Sequence, residues 1–538
     1  MKKRGMALTI VTVAAVIFLA AGCGTSPTSS KTTNSSGGGV VSGGTLTIAM
    51  DNSPGNLNPL TSITPAGQML DNLAYNQLVL QAASGKIEPE LATKWSATAA
   101  SATFTIRRGV TCSDGSALTP EVVAKNFDWV LNPKNASPFL GVYISAGSTV
   151  TANNSTGIVK IVSPTASSFL IRNLSSLMIE CNGALKNMNT VSNNTLGSGQ
   201  YVLTSSTPGQ VYNLSLRKGY KWGSDGVTST TPGVPAHIVM KVVSSQSTAA
   251  NLLLSGGLNI AEISGPDRTR LGNHGLLQLT VLNNPEFLLF NQKSGRPAAT
   301  DSVRKALTMA LNVKSIGLVS TSGKGVAINN LEAGPPAVCP SNSSLTSLLP
   351  KLSLSKAKQL LTQAGWVLNS QGVREKAGQP LTIHVLYSSS QGQPVASAVQ
   401  LIQQEWTALG VHVVTQSASD TQVVGILFSG GNWDVSFVPV IATLPASWTG
   451  VFAGPTPPHG GNIASLDNVN YNHLTTAAEG KAGSASCPDW EAAEHSLVTD
   501  SDIVPIAGLT MTIYGSNVRF SYSNTMIVTS SLRMLKTG

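Results

Sequence analysis

The sequence predicts an α/β protein, and three stretches predict it. In the first, alternation through Thr103, Phe104, Thr105, Ile106 and Arg107 makes a strand, Gly109 turns it, and Asp114-Gly115 makes a second turn. Thr119 then caps a helix with Pro120 at its first position, and Val122, Val123, Phe127 and Val130 fall on one face. In the second, a strand ends at Phe290-Asn291 and Asp301 caps a helix whose Val303, Ala306, Leu307, Ala310 and Leu311 share one side. In the third, the strand LTIHVLY precedes a helix with Val395, Ala398, Val399, Ile402, Trp406 and Leu409 inward, and Gly410 ends it before VHVV. Strand, helix and strand at these lengths make a βαβ unit.

At the start of the chain, Lys2, Lys3 and Arg4 precede an apolar run from Met6 to Ala21, which is the pattern of an export signal. Ala20-Ala21-Gly22-Cys23 resembles a bacterial lipobox, although Leu19 stands one place earlier than the usual leucine. The expectation is a lipoprotein signal peptide over residues 1–22, with Cys23 lipidated. Residues 23–43 are mostly Ser, Thr and Gly, with little to bury, and read as a flexible tether with a reach of about 25 Å. Beyond the signal, no apolar run approaches the roughly 20 residues of a spanning helix.

Only 11% of residues are charged. The formal charge of +9 loses three positive charges with residues 1–22, leaving +6. These charges are scattered, without a dense basic run among aromatics, so nucleic acid is not an expected partner. There is no G-x-S-x-G, no H-E-x-x-H and no Walker loop; Gly323-Lys324 is followed by Gly325. The seven histidines, His237, His274, His384, His412, His459, His473 and His495, lack metal-ligand spacing. The reading is a chain that is not an enzyme, with no metal and no cofactor.

The words of the first stretch are more particular than its pattern. Pro89, Leu91, Ala92, Trp95, Phe104, Arg107, Gly109, Val110, Asp114, Gly115, Leu118, Thr119 and Val123 resemble the signature of the family 5 solute-binding proteins. These are the oligopeptide- and nickel-type receptors of ABC importers. Cys112 replaces a usual Phe, and Val122 a usual Asp. The strand TLTIAM and the turn Leu57-Asn58-Pro59 are similar to the family's opening. Gly197, Gly199 and Tyr201 match its G-T-G-P-Y, with Ser198 and Gln200 as departures. Phe290-Asn291 with Val303-Arg304-Lys305-Ala306-Leu307 is a second strong match. Ser353 can cap the helix LSKAKQLLTQ, and the residues through Gly365 resemble a further family helix.

The resemblance implies a periplasmic binding protein-like II fold: two hinged α/β lobes with an extra subdomain in the first, the cluster C type. Lobe I would comprise residues 44–84, 197–288 and 505–538, with an inserted subdomain at 85–196, and lobe II residues 289–504. It also implies a ligand cleft bordered by Ser53, Asn56, Asn58, Phe287, Phe290, Asn291, Trp433, Asp434, Trp448 and Phe452. Relatives that bind peptides hold the ligand ammonium with an aspartate after the stretch matched here by Phe428 to Asp434. Val435 to Leu466 contains no Asp, Glu, Lys or Arg. A buried ammonium without a carboxylate would lose several kcal/mol of solvation. Trp433, Trp448 and Phe452 instead fit an apolar or stacking surface, so the expected ligand is a peptide or other oligomeric, largely uncharged solute.

The expected partners are that solute, an ABC permease with its ATPase subunits, and the membrane through the lipid anchor. The chain is expected as a monomer on the outer face of the cytoplasmic membrane. A sensing or scavenging protein without a transporter, and a receptor for glycans or a chelated metal, are the alternatives. Without Cys23, four cysteines remain in an oxidising exterior, and sequence allows three pairings. If the chain folds in lobes, Cys112 with Cys181 and Cys339 with Cys487 keeps each bond within one lobe, and that pairing is the expectation.

Overall fold

Two long antiparallel neighbours, strands Leu277–Phe290 and Ile503–Gly515, run through the centre of the computed structural model, which describes residues 39–438 and 442–536. They belong to a ten-stranded mixed sheet. On one side the sheet continues through Val435–Phe437, Thr382–Ser388 and His412–Ala418. On the other it continues through Ile260–Ile263, Thr45–Met50, His237–Val242, Val211–Leu216 and Tyr201–Thr207.

The two long strands serve two separate cores. Val281 and Ile513 pack with Leu46, Ile48, Ile238 and Met240 in the first. Leu288 and Val504 pack with Val303, Leu307, Ile383, Val385 and Trp406 in the second. Between these ends the pairing register shifts twice, at Leu282/Asn284 and at Glu286/Phe287. Irregular pairing of this kind bends and twists a strand locally. The two α/β bodies are thus joined through the place where their shared strands are least regular.

The three predictive stretches form as expected in outline. Strand Ser101–Ile106 buries Phe104 and Ile106, and Thr119 caps helix Pro120–Leu131 by accepting from the Val122 amide at 3.3 Å. Strands Thr382–Ser388 and His412–Ala418 pair in parallel around helix Gly392–Thr407, whose Val395, Ala398, Val399, Ile402 and Trp406 are buried. Helix Asp301–Met309 differs at its start: Thr300 holds the cap position, and Asp301 lies in the first turn, where it pairs with Lys305 at 2.9 Å. A carboxylate there complements the helix dipole without capping. The matched Arg304 is 6% exposed and ties this helix to the second body by donating to the Ser501 and Ala298 carbonyls, with Asp502 at 3.4 Å.

A third core belongs to a four-stranded antiparallel sheet, Ala92–Ala97, Ser101–Ile106, Ile158–Val162 and Thr149–Asn153, backed by helix Pro120–Leu131. It joins the first body through Leu60, Leu78, Tyr220 and Trp222. A disulfide links Cys112 to Cys181 inside this unit, and another links Cys339 to Cys487 in the second body.

Residues 1–22 and Cys23, read as signal and lipidation site, lie outside the described residues. The last residues of the segment read as tether are held against the fold: Val41 donates to the Met534 carbonyl at 3.0 Å and Gly43 to that of Val234 at 3.2 Å. Backbone pairing with the C-terminal segment needs no side chains, which is why a Gly- and Ser-rich stretch gave no sign of it. Among the described residues no helix is long and apolar enough to cross a membrane.

Candidate functional site

A cavity of about 160 Å³ lies where the first body meets the second. Pro59, Ser62 and Asp71 come from the loop and helix after the first strand, Phe139, Tyr143 and Met178 from the four-stranded unit, and Met526 from the C-terminal segment. The second body contributes Thr443. A smaller cavity of about 40 Å³ adjoins it, sharing Gln77, Ser176, Thr443 and Asn524 and adding Arg172 and Ser175.

Helix Pro65–Ala74 positions Asp71, and two close approaches fix that helix. At its start Thr64 accepts from the Gly67 amide at 3.1 Å, and a Cβ on Gly67 would lie 2.2 Å from Ser62 Oγ. At its end Gly199 donates to the Ala74 carbonyl at 2.9 Å, and a Cβ on Gly199 would lie 2.3 Å from the Ala74 carbonyl carbon. The two glycines of the G-x-G stretch therefore act by letting backbone meet backbone under the helix that carries Asp71.

Among the described residues, three buried oxygens of lining residues have no hydrogen-bond partner: Ser62 Oγ and Asp71 Oδ1 behind the larger cavity, and Ser175 Oγ behind the smaller. Asp71 is 1% exposed, and burial, reinforced by the charge of Glu180, pushes its carboxyl well above the usual carboxylate range. Glu180 is itself fully buried, and burial pushes it up to about 8. Buried polar atoms without partners are costly, and the fold accepts that cost here as it does at Gln200 and Asn284.

The bodies also meet beside the cavity. Ser168 of the four-stranded unit donates from its amide to Glu479 Oε2 at 2.9 Å and from Oγ to the Ala478 carbonyl at 2.8 Å. Its carbonyl accepts from the Gly483 amide, and its Oγ accepts from Trp490 Nε1 at 3.2 Å. Phe169, 3% exposed, packs with Trp490, Ala478 and the cysteines of the second disulfide. Gln81 adds a bond to the Pro336 carbonyl at 3.1 Å.

The residues singled out in the sequence fall into three places. Ser53 meets Tyr212 Oη at 3.2 Å, Asn56 donates to Thr61 Oγ1 at 2.6 Å, and Asn58 Oδ1 accepts from the Leu60 amide at 2.8 Å. These three shape the loop that delivers Pro59 and Ser62 to the cavity. Asn291 donates to the Trp433 carbonyl, and Asp434 is held by Arg296 at 3.1 Å and His384 at 2.9 Å, so both brace strand ends.

The aromatics lie in the interior of the second body. Phe287, Trp448, Phe452 and Tyr471 form one cluster, with Trp448 stacked on Phe452 at 5.2 Å; Trp433 lies in the same core and Phe290 in the neighbouring one. Trp448 Nε1 donates to the Leu331 carbonyl at 2.9 Å. Their faces are used by each other rather than turned to the cavity, because this body needs large apolar side chains to fill it. Sequence reading did not single out Ser62, Asp71, Tyr143 or Thr443. Only Asp71 carried a signal, a carboxylate within the buried face formed by Ala66, Leu70 and Ala74.

Among the described residues no three His, Cys, Asp or Glu side chains gather closely enough to hold a metal ion. The family described as bacterial extracellular solute-binding proteins, family 5 Middle, matches residues 86–457. The chain is 26% identical to the nickel-binding periplasmic protein of Escherichia coli over 399 residues, covering 68% of this chain and 70% of that one. It is 24% identical to the periplasmic murein peptide-binding protein MppA of the same organism over 495 residues, covering 85% of this chain and 86% of the other. Among solved structures, a substrate binding protein from Microbacterium hydrocarbonoxydans complexed with 4-hydroxybenzoate hydrazide superposes with a TM-score of 0.68 at 24% identity. It covers 91% of this chain and 99% of that one.

Proposed function

This chain belongs to the bacterial extracellular solute-binding proteins of family 5, with the two-lobe periplasmic binding protein-like II fold, and on that premise we propose that it captures a peptide or other largely uncharged solute between its lobes and delivers it to an ABC permease. The observation that carries this reading is the cavity walled by both bodies, beside strands whose register breaks between them. Lobe I comprises residues 44–84, 197–288 and 505–538 with the subdomain 85–196, lobe II residues 289–504, and bending at the register shifts opens and closes the cleft. Ligand contacts with both walls stabilise the closed arrangement, since only differential affinity moves such a balance. No chemical change of the ligand is part of the cycle.

In this proposal Cys23 anchors the protein by acyl chains to the outer face of the cytoplasmic membrane, where a monomer meets the permease. The cavity's volume of about 160 Å³ is close to that of the engineered cavity of about 150 Å³ that holds benzene, so it has room for a small ligand or one side chain of a larger one. Identifying the solute that co-purifies with the protein, and measuring solution scattering with and without it, tests the reading. Contraction on binding is expected. A ligand held by one lobe alone, with an unchanged scattering profile, would refute capture by closure.

A further inference from the structure

The C-terminal segment returns to the place where residues 39–41 join the fold. Val40 bridges Leu535, Val41 donates to the Met534 carbonyl at 3.0 Å, and Lys536 donates to that of Gly39 at 2.9 Å. On its other edge the same segment pairs with Val518 and Arg519, and Leu535 donates to the Asn517 carbonyl at 2.9 Å. The result is a three-stranded antiparallel ribbon just beyond Gly515, where the long strand of lobe I ends. Side chains alternate between the faces of a strand, and the two faces of this ribbon differ. Val518 and Met534 pack into the first core. Arg519, Arg533, Leu535 and Val40 share the other face, with Val40 39% exposed. Val40 and Arg533 lie side by side over Gly233, where a Cβ would come within 3.0 Å of one and 3.1 Å of the other.

This face carries positive charge with nothing in the fold to balance it. Arg519 is exposed and stands directly opposite Arg533, a placement in which like charges repel. Burial, together with Arg519, pushes the Arg533 guanidinium below its usual range. Arg533 donates to the Ser530 and Leu532 carbonyls, but neither arginine forms an ion pair among the described residues. The stretches that meet here, 39–50, 226–261 and 503–538, contain no Asp or Glu. Asp225, next to Ser224 at the ribbon's edge, faces Glu88, whose carboxyl is raised by burial and by that charge.

We propose that this outward face docks lobe I on an anionic phospholipid surface, with headgroup phosphates between Arg519 and Arg533 and with Val40 and Leu535 at the lipid boundary. The proposal rests on the membrane anchoring in the capture reading and adds the orientation of the anchored protein. A guanidinium matches phosphate oxygens two at a time, and a phosphate between the arginines removes their repulsion. The chain also enters the fold here. As a tether, residues 24–38 between Cys23 and the ribbon reach about 20 Å, so an anchor at Cys23 keeps this face near the membrane. The strand from Pro505, at the register shift, to Gly515 spans about 30 Å. A docked lobe I therefore leaves lobe II free to close.

Energy transfer tests this on the mature acylated protein, reconstituted on vesicles of phosphatidylcholine alone or of phosphatidylcholine with phosphatidylglycerol. A donor dye on Thr230→Cys, exposed in the loop that carries Gly233, reads the approach to acceptor-labelled lipid. Transfer is expected to be higher on the anionic vesicles and to fall to the neutral level in about 0.5 M salt. Arg519→Gln should lower the ratio of docked to free protein about fivefold, the value of one charge near such a surface, and Arg519→Glu should lower it further, both with an unchanged thermal midpoint. Inorganic phosphate at matched ionic strength should not release the protein; release would show a site for the free anion and overturn the dock. Equal transfer on the two lipids, or undiminished transfer in both Arg519 variants, would overturn it too and leave this face to a protein partner. Sedimentation with the phosphatidylcholine vesicles reads the anchor separately. If the protein sediments with them and phosphatidylglycerol changes nothing, the dock alone falls; if it does not sediment, anchor and dock fall together.

Discussion

Ser168 offers a direct way to perturb closure without touching the cavity. Its hydroxyl donates to the Ala478 carbonyl at 2.8 Å and accepts from Trp490 Nε1 at 3.2 Å, and both partners belong to the other lobe. Ser168→Ala removes both bonds and leaves the indole N–H of Trp490, 1% exposed, without a partner when the lobes are shut. When they are apart, water reaches it. The substitution therefore acts on the difference between the two arrangements. Losing a buried hydrogen bond and stranding its partner costs about 1–3 kcal/mol, so the closed form should lose about 5- to 150-fold in relative population. Where binding needs the closed form, apparent affinity falls as that population falls. The assay is titration of the co-purified solute into wild-type and variant protein, with scattering to read the open fraction. The thermal midpoint without ligand should stay close to that of the wild type, because neither lobe loses an internal contact. An affinity within about twofold of wild type, together with an unchanged open fraction, would refute the view that this contact holds the lobes together.

Three further outcomes follow from the described geometry. Glu180, held near 8 against an ordinary 4.5, contributes stability that is fully present below about pH 4.5 and is lost as pH rises toward 8; Glu180→Gln should therefore flatten the decline seen in denaturant unfolding between pH 5 and 8, by on the order of 1–3 kcal/mol at the upper end. Gly199→Ala forces a Cβ to 2.3 Å from the Ala74 carbonyl carbon and should destabilise the protein by about 1–3 kcal/mol or more, measured as a lower denaturation midpoint. Replacing Cys112 and Cys181 together by Ser releases a constraint across 69 residues and should cost about 4 kcal/mol in the chain-entropy account, with increased hydrogen exchange confined to the four-stranded unit.

What the sequence made legible was local or repeated. The cap at Thr119, the buried stripe ending in Trp406 and the parallel pair Thr382–Ser388 and His412–Ala418 each follow from periodicity within one stretch. The matched motifs proved to be supports: Leu91 and Phe104 are core, Gly199 lies under a helix end, and Arg304 ties the second body together. The cavity was not legible, because Ser62 with Asp71, Tyr143 and Thr443 come from three separate segments and no spacing relates them.

The stretch from Val435 to Leu466 shows where sequence and structure part. Its lack of charge led to an uncharged ligand through the three aromatics Trp433, Trp448 and Phe452. Yet the structure gives much of that lack a simpler cause, since Phe437, Trp448, Phe452 and Leu466 fill the interior of the second body, where a charge would be costly. An aromatic in a sequence fits a core and a binding surface equally well, and nothing in its periodicity separates them. What remains for a neutral ligand is modest: Thr443, the second body's contribution to the cavity, brings no charge to it, while Asp71 is held above the usual carboxylate range by burial, reinforced by Glu180. It follows that replacing Trp448, which fills this core and donates to the Leu331 carbonyl, should lower the denaturation midpoint before it alters selectivity.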